Sequence, residues 1–185
     1  LLPDGDIGIK SPDLGSVQEE FNIQPMNIKN GLYCIYRTTL GQPAESYSYD
    51  NGKTWTEPEL INYANGMPLR NPRACPRLWK CKNGKYLYWF HNHGGRFIRE
   101  FPDVNMAYND RNPVWLSGGI EADGPDGKII TWTQPEILLY DDDPFIRISY
   151  PDLIEDDGKF YITETQKDVA RVHEIDAGIP EKLWN

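Results

Sequence analysis

The chain has no long hydrophobic run, little positive charge and only 3 cysteines in 185 residues. No apolar stretch approaches the length of a membrane-spanning helix and no signal peptide is visible, so no membrane partner is expected. With 19 Lys and Arg against 28 Asp and Glu, the formal net charge is −9. Phosphate binding needs concentrated Lys and Arg, which argues against nucleic acid as the main partner. Cys34, Cys75 and Cys81 are an odd set. Cys34 and Cys81 sit in or beside strand-like runs and read as buried free thiols, while a Cys75–Cys81 bridge stays open because spacing cannot decide it. A sustained helical period is also missing, and Glu100–Asn112 is broken by Pro102 and by Asn and Asp residues. The first residue is not Met, which reads as a start after processing or inside a longer chain. The compartment is open, with a secreted or periplasmic location favoured.

What is present points to strands and turns. Aromatics make up 12%, beside 16 Gly and 15 Pro, a composition suited to many short strands in a domain large enough for a sizeable core. Ser48-Tyr49-Asp50-Asn51-Gly52-Lys53-Thr54-Trp55 fits S-x-D-x-G-x-T-W at every defined position. Asp50 can accept bonds from the backbone N–H groups that follow it, and Asn51-Gly52 supplies positive-φ positions. Thr54 is expected to start the return strand and Trp55 to anchor it.

A second pattern recurs three times: a Pro-led strand, an Asn-Gly or Asp-Gly turn and an aromatic return strand. Its turns fall at Asn30-Gly31, Asn83-Gly84 and Asp157-Gly158. The outer halves repeat as well, since Trp55-Thr56-Glu57-Pro58-Glu59 is echoed by Trp132-Thr133-Gln134-Pro135-Glu136. The units run from about Phe21 to Tyr63, from about Asn71 to Leu139 and from about Ile146 to the end, with residues 1–20 belonging to a preceding unit or connection. Within the second unit, roughly Gly94–Ser117 reads as a long functional-type loop. Arg171–Ile175 would supply the third strand of the last unit.

The eight-residue motif resembles the Asp-box repeat of the sialidase-like, or BNR, β-propellers. That resemblance implies an all-β fold class, with blades of four-stranded antiparallel sheets in one partial domain of about three to four blades. A propeller closes with about four to eight blades. Missing blades of the same chain, or a second copy, would therefore complete the fold. Sialidases typically open with F-R-I-P, whose arginine binds the substrate carboxylate; here the nearest segment is Phe21-Asn22-Ile23-Gln24-Pro25. Asn22 in place of that arginine argues against a true sialidase.

If each hairpin forms the two inner strands of a blade, the ends opposite the turns converge on one channel mouth. That mouth would collect Arg37, Arg73, His91, His93, Tyr150 and Glu164, with Asn92, Arg96 and Arg147 close by. His91 and His93, two apart and on one side of a strand, read as an acid/base pair, as two metal ligands, or as ordinary bonded histidines at a strand end. Tyr150 with Glu164 reads as a nucleophile or proton donor with its carboxylate partner, or as a paired aromatic. The arginines can clamp a carboxylate or sulfate, or pair with the abundant acids. Glu121 is expected on a loop, as an acid or base or simply exposed. The acidic runs at Asp141–Asp143 and Glu155–Asp157 lack calcium-loop spacing.

The expected function is a glycoside hydrolase acting on an acidic or deoxy sugar, with Tyr150, Glu164, His91 and His93 catalytic and Arg37, Arg73, Asn92, Arg96 and Arg147 binding substrate. One alternative is a polysaccharide lyase: His91-Asn92-His93-Gly94-Gly95-Arg96 resembles, in residue types, ulvan-type lyases that use His, Tyr and Arg on a uronate. Another is a non-catalytic propeller binding glycan or protein. The expected partner is an anionic carbohydrate, and no cofactor or metal is called for.

Overall fold

The computed structural model describes residues 19–38, 40–72, 74–94, 111–143, 145–166 and 168–185. Among them lie three antiparallel sheets, none closed on itself. Strands β1 (Glu19–Pro25), β2 (Leu32–Arg37), β3 (Ala44–Ser48) and β4 (Glu59–Leu60) form the first in sequential order. The second holds β5 (Arg77–Lys80), β6 (Tyr86–Phe90), β7 (Val114–Asp123) and β8 (Lys128–Trp132), while β9 (Glu136–Leu139) pairs with the other end of β7. The third holds β10 (Ser149–Asp156), β11 (Lys159–Gln166) and β12 (Val169–Ile175), followed by the short helix α1 (Gly178–Leu183). The fold is all-β, as expected, but uniform four-stranded sheets are not observed: the second has five strands and the third three.

Each expected hairpin forms because its turn residues accept a left-handed backbone. Asn30 (φ 64°), Gly84 (φ 81°), Asp157 (φ 43°) and Gly158 (φ 75°) all lie in that region, where Gly, Asn and Asp are the least strained residues. Among the described residues the three thiols are free.

The Ser48–Trp55 segment closes on itself. Asp50 Oδ1 accepts the N–H groups of Lys53 and Thr54, both at 2.9 Å, and Oδ2 accepts the Thr54 hydroxyl at 2.7 Å. The Gly52 N–H donates to Ser48 Oγ at 2.8 Å. Thr54 does not start the return strand, because its N–H and hydroxyl are both spent on Asp50; β4 begins only at Glu59. Trp55 does anchor the turn, packing against the Cys34, Tyr36 and Ala44 cluster.

The two Trp-Thr-x-Pro-Glu segments make the same bonds. Ser46 Oγ donates to the Thr56 carbonyl at 2.7 Å, and Ser117 Oγ to the Thr133 carbonyl at 2.6 Å. The Thr56 hydroxyl accepts the Tyr47 N–H at 3.0 Å, and that of Thr133 the Gly118 N–H at 3.2 Å. By this correspondence β9 is the counterpart of β4, and β8 with the distal half of β7 is an extra hairpin. Of the expected loop, residues 95–110 lie outside the described residues, and Val114–Ser117 opens β7 instead. Glu121 likewise lies on β7, where Oε1 accepts the Tyr86 hydroxyl and the Asn27 N–H, both at 2.6 Å.

Alternation on β6 builds two cores. Tyr86, Tyr88 and Phe90 point into a cluster with Tyr33, Ile35, Tyr47 and Trp132 of the first and second sheets. Leu87 and Trp89 point the other way, into a cluster with Ile148, Ile162, Leu183 and Trp184. A strand buried on both faces reads as a continuous apolar run, and each such side chain contributes about 1.5–3 kcal/mol. Trp184 Nε1 donates to the Tyr86 carbonyl at 2.7 Å, fixing the end of α1 on the second sheet. The first strands stand side by side, β1 against β5 and β5 against β10. Gln24 Nε2 donates to the Leu78 carbonyl at 3.1 Å and Trp79 Nε1 to Asp152 Oδ1 at 3.3 Å across these contacts.

Candidate functional site

The hairpin ends opposite the turns meet where backbone irregularity concentrates. Pairing slips between Glu19 and Phe21 on β1 and between Ser149 and Asp152 on β10. Each slip leaves one residue in the left-handed region, Glu20 (φ 52°) and Tyr150 (φ 49°), and Asn92 (φ 52°) just beyond β6 joins them. For Glu and Tyr this conformation carries a cost of about 1–3 kcal/mol each, and such outliers gather at functional sites. A bulge also re-aims its side chain. Glu20 turns to pair with Arg37 Nη1 at 2.5 Å. Tyr150 stays 55% exposed instead of entering the sheet face.

Arg111 ties these ends together. It is buried, its Nη1 donates to Ser149 Oγ at 3.0 Å, and it bonds the Tyr150 hydroxyl. A guanidinium can only donate, so the Tyr150 oxygen accepts and its own proton remains to be given. The Ile148 N–H donates to the Arg111 carbonyl at 3.2 Å, fixing this segment on the approach to β10. Burial disfavours the charged form of Arg111 and Arg147 adds repulsion, whereas Tyr150 and Glu20 support the charge. Arg37 also faces this region, acting with Arg111 on Cys75.

His91 is 4% exposed. Its N–H donates to Asn71 Oδ1 at 3.2 Å, and its ring bonds the Pro113 carbonyl. Among the described residues Nδ1 has no partner, so Nε2 carries the proton given to Pro113 and Nδ1 keeps a lone pair. Burial, then Arg111, then His93 push the imidazole down to about 3, leaving it neutral at ordinary pH. His91, Cys75, Trp89, Arg111, Ser149 and Tyr150 surround a void of about 10 Å³, about the space of one water.

The expected residues divide as follows. His91, Tyr150, Arg37 and Arg147 come to this mouth, and His93 lies close enough to act on His91. The alternation placing both histidines on one face of a strand does not apply, because β6 ends at Phe90 and Asn92 reverses the backbone. Asn92 Oδ1 accepts the Tyr63 hydroxyl at 3.3 Å. Arg73 and Arg96 lie outside the described residues. Glu164 does not partner Tyr150. It is buried on β11 and faces His173 Nε2 at 3.4 Å and Arg171 Nη1 at 3.8 Å on β12, because the β10 bulge removes Tyr150 from the register opposite it. Among the described residues no three His, Cys, Asp or Glu side chains are grouped to hold a metal ion.

Arg111 and Glu20 are the participants that sequence reading missed. Arg111 lay inside the long insertion, where Arg-Asn-Pro just before an aromatic strand was the available signal. No protein-family model matches this chain, and no curated protein matches it either.

Proposed function

We propose that the chain is part of a sialidase-like β-propeller that cleaves an acidic glycan at this mouth by β-elimination next to a uronate carboxylate. Support for the architecture comes from the side-by-side first strands, the self-bonded Ser48–Trp55 turn and the repeated Ser-Thr bonds. Three sheets leave strand edges open, and further blades of the same protein or a second copy close the ring.

The observation that carries the chemistry is the lone pair of His91 Nδ1 beside the Arg111–Tyr150 pair at one void. Through the one water that the void can hold, His91 takes the proton from the carbon next to the carboxylate. The electrons of that C–H bond form the new C=C bond, and the bond to the leaving oxygen breaks. That oxygen takes the Tyr150 proton, and Arg111 offsets the charge left on the phenol oxygen. Arg37 and Arg147 balance the substrate carboxylate. Elimination is preferred over hydrolysis because Glu164 is turned to His173 and Arg171 and does not serve Tyr150 as its carboxylate partner.

The test is incubation of the full protein with alginate, polygalacturonate and heparan-type glycans. Ultraviolet absorbance of unsaturated ends is expected. Reducing ends without that absorbance establish hydrolysis instead, and glycan binding without either product establishes a recognition module.

A further inference from the structure

A larger concavity lies away from the mouth, in the seam between the outer strands of the first sheet and the β8 side of the second. It holds about 550 Å³, and its walls include Glu45, Tyr47, Tyr49, Glu57, Glu59 and Asp126. That volume falls within the range of about 300–1,000 Å³ typical of small-molecule sites.

Both sheets fix the walls. Glu45 and Tyr47 are two apart on β3 and share a face. The Tyr33 hydroxyl donates to Glu45 Oε2 at 2.6 Å, and the Tyr47 hydroxyl donates to the same oxygen at 3.1 Å. Those hydroxyl oxygens accept in turn from β8, Tyr33 from Trp132 Nε1 at 3.3 Å and Tyr47 from the Ile130 N–H at 3.0 Å. Tyr49 lies parallel to Tyr47, with 6.3 Å between ring centroids, and donates to the Lys128 carbonyl at 2.9 Å. Gly127 (φ 152°) makes room for it, since a Cβ there would meet the Tyr49 ring at 2.7 Å.

One oxygen is left over. Both hydrogen bonds that Glu45 accepts from described residues fall on Oε2, so among them Oε1 of this cleft-lining, part-buried carboxylate accepts none. Glu57, Glu59 and Asp126 add negative charge, and among the described residues no Lys or Arg lines the cleft. Lys128 of β8 is tied to Asp123 at 2.6 Å. An anion would be repelled here, and the carboxylates do not converge in a way that would hold a metal ion. A cation with carbon attached satisfies every wall at once, its charge on the carboxylate and its body on the tyrosine rings.

We propose that this cleft binds a small organic cation, with an ammonium group on Glu45 Oε1 and its carbons against Tyr47 and Tyr49. This site is independent of the mouth chemistry. Burial lifts the Glu45 carboxyl to about 7, so near neutrality an arriving cation displaces its proton. The groups facing Glu45 are Tyr33 on β2, Tyr47 on β3 and Glu59 on β4, with Glu57, Tyr49 and Asp126 around the cleft and uncharged donors on β8.

The experiment is calorimetric titration of the full protein at pH 7 with n-butylammonium, spermidine and glucosamine, in two buffers of different ionisation enthalpy. Expected are saturable binding of n-butylammonium with proton release, and a loss of about tenfold or more in Glu45→Gln. The exposed Glu57→Gln and Asp126→Asn changes, which leave the tyrosine network intact, should each weaken binding several-fold, while Glu136→Gln should not. Tighter spermidine than glucosamine assigns a polyamine-type ligand, and the reverse an amino sugar. Absence of n-butylammonium binding, equal binding by Glu45→Gln and Asp126→Asn, or displacement by calcium in preference to amines would overturn the proposal.

Discussion

Arg111 bonds the hydroxyl oxygen of Tyr150, so a buried cation grips an exposed phenol across two sheets. Losing the hydroxyl removes one acceptor from the buried Arg111, so Tyr150→Phe is expected to cost about 1–3 kcal/mol in stability and to lose about 10²–10⁴-fold in turnover. Steady-state kinetics on the glycan that the wild type cleaves checks this; an unaffected turnover removes Tyr150 from the reaction.

His91 should set the acid limb of the rate profile. Its imidazole is held down at about 3, mainly by burial, with Arg111 and His93 adding to the effect. As the base it must be neutral, so the rate should hold through the range where an ordinary histidine titrates and fall only as pH drops towards 3. Initial rates between pH 4 and 7, with stability followed in parallel, test this. A midpoint near the ordinary histidine value would exclude His91 as the base.

Glu45 should make the fold weaker in alkali. Its folded value, about 7, stands above the ordinary 4.5 because of burial. A raised carboxyl favours folding fully below the unfolded value, and that contribution is lost as pH rises through about 7. Glu45→Gln keeps an acceptor oxygen without the charge. Denaturant melts should show it gaining about 1–3 kcal/mol on the wild type between pH 5 and 8, and an unchanged difference would refute the linkage.

Asp50 should act in the opposite direction. Its carboxyl is pulled down to about 2, first by the Thr54 backbone bond and then by the Thr54 hydroxyl, with Ser48 and Lys53 adding to this. Its contribution is present above the ordinary 3.8 and fades as pH falls through about 2. Asp50→Ala should melt below the wild type at pH 7, and the gap should narrow from pH 4 downwards. A pH-independent gap would show that its charge is irrelevant.

Trp184 should carry much of the docking of α1. It is buried in the second core and bonds the Tyr86 carbonyl. Trp184→Ala is expected to cost about 3–5 kcal/mol, read from urea melts; a change below 1 kcal/mol would mean that α1 is not docked in solution.

The hairpins were legible because their turns are local chemistry: Asn30-Gly31, Asn83-Gly84 and Asp157-Gly158 need no distant partner. The echo around Thr56 and Thr133 was legible for the same reason. What escaped depends on register. A single bulge at Tyr150 separates it from Glu164, and no spacing rule reports a bulge. Arg111 escaped because it joins the mouth from a segment far from the hairpins that define it. The Glu45 network was hidden because its members come from β2, β3 and β8.

The paired bonds of Ser46 with Thr56 and of Ser117 with Thr133 bear on how such a chain can change over generations. The Ser–Thr bonds of each lock lie within its own sheet, but the Thr133 hydroxyl also donates to the Leu183 carbonyl of α1 at 2.8 Å, so the first lock can be copied without its neighbours whereas the second is tied to α1. It also tolerates elongation beside it, as the β7–β8 hairpin demonstrates by growing out next to an unchanged lock. A hairpin on this scaffold is thus added at the outer edge, while the inner strands β5 and β6 keep an unbroken register.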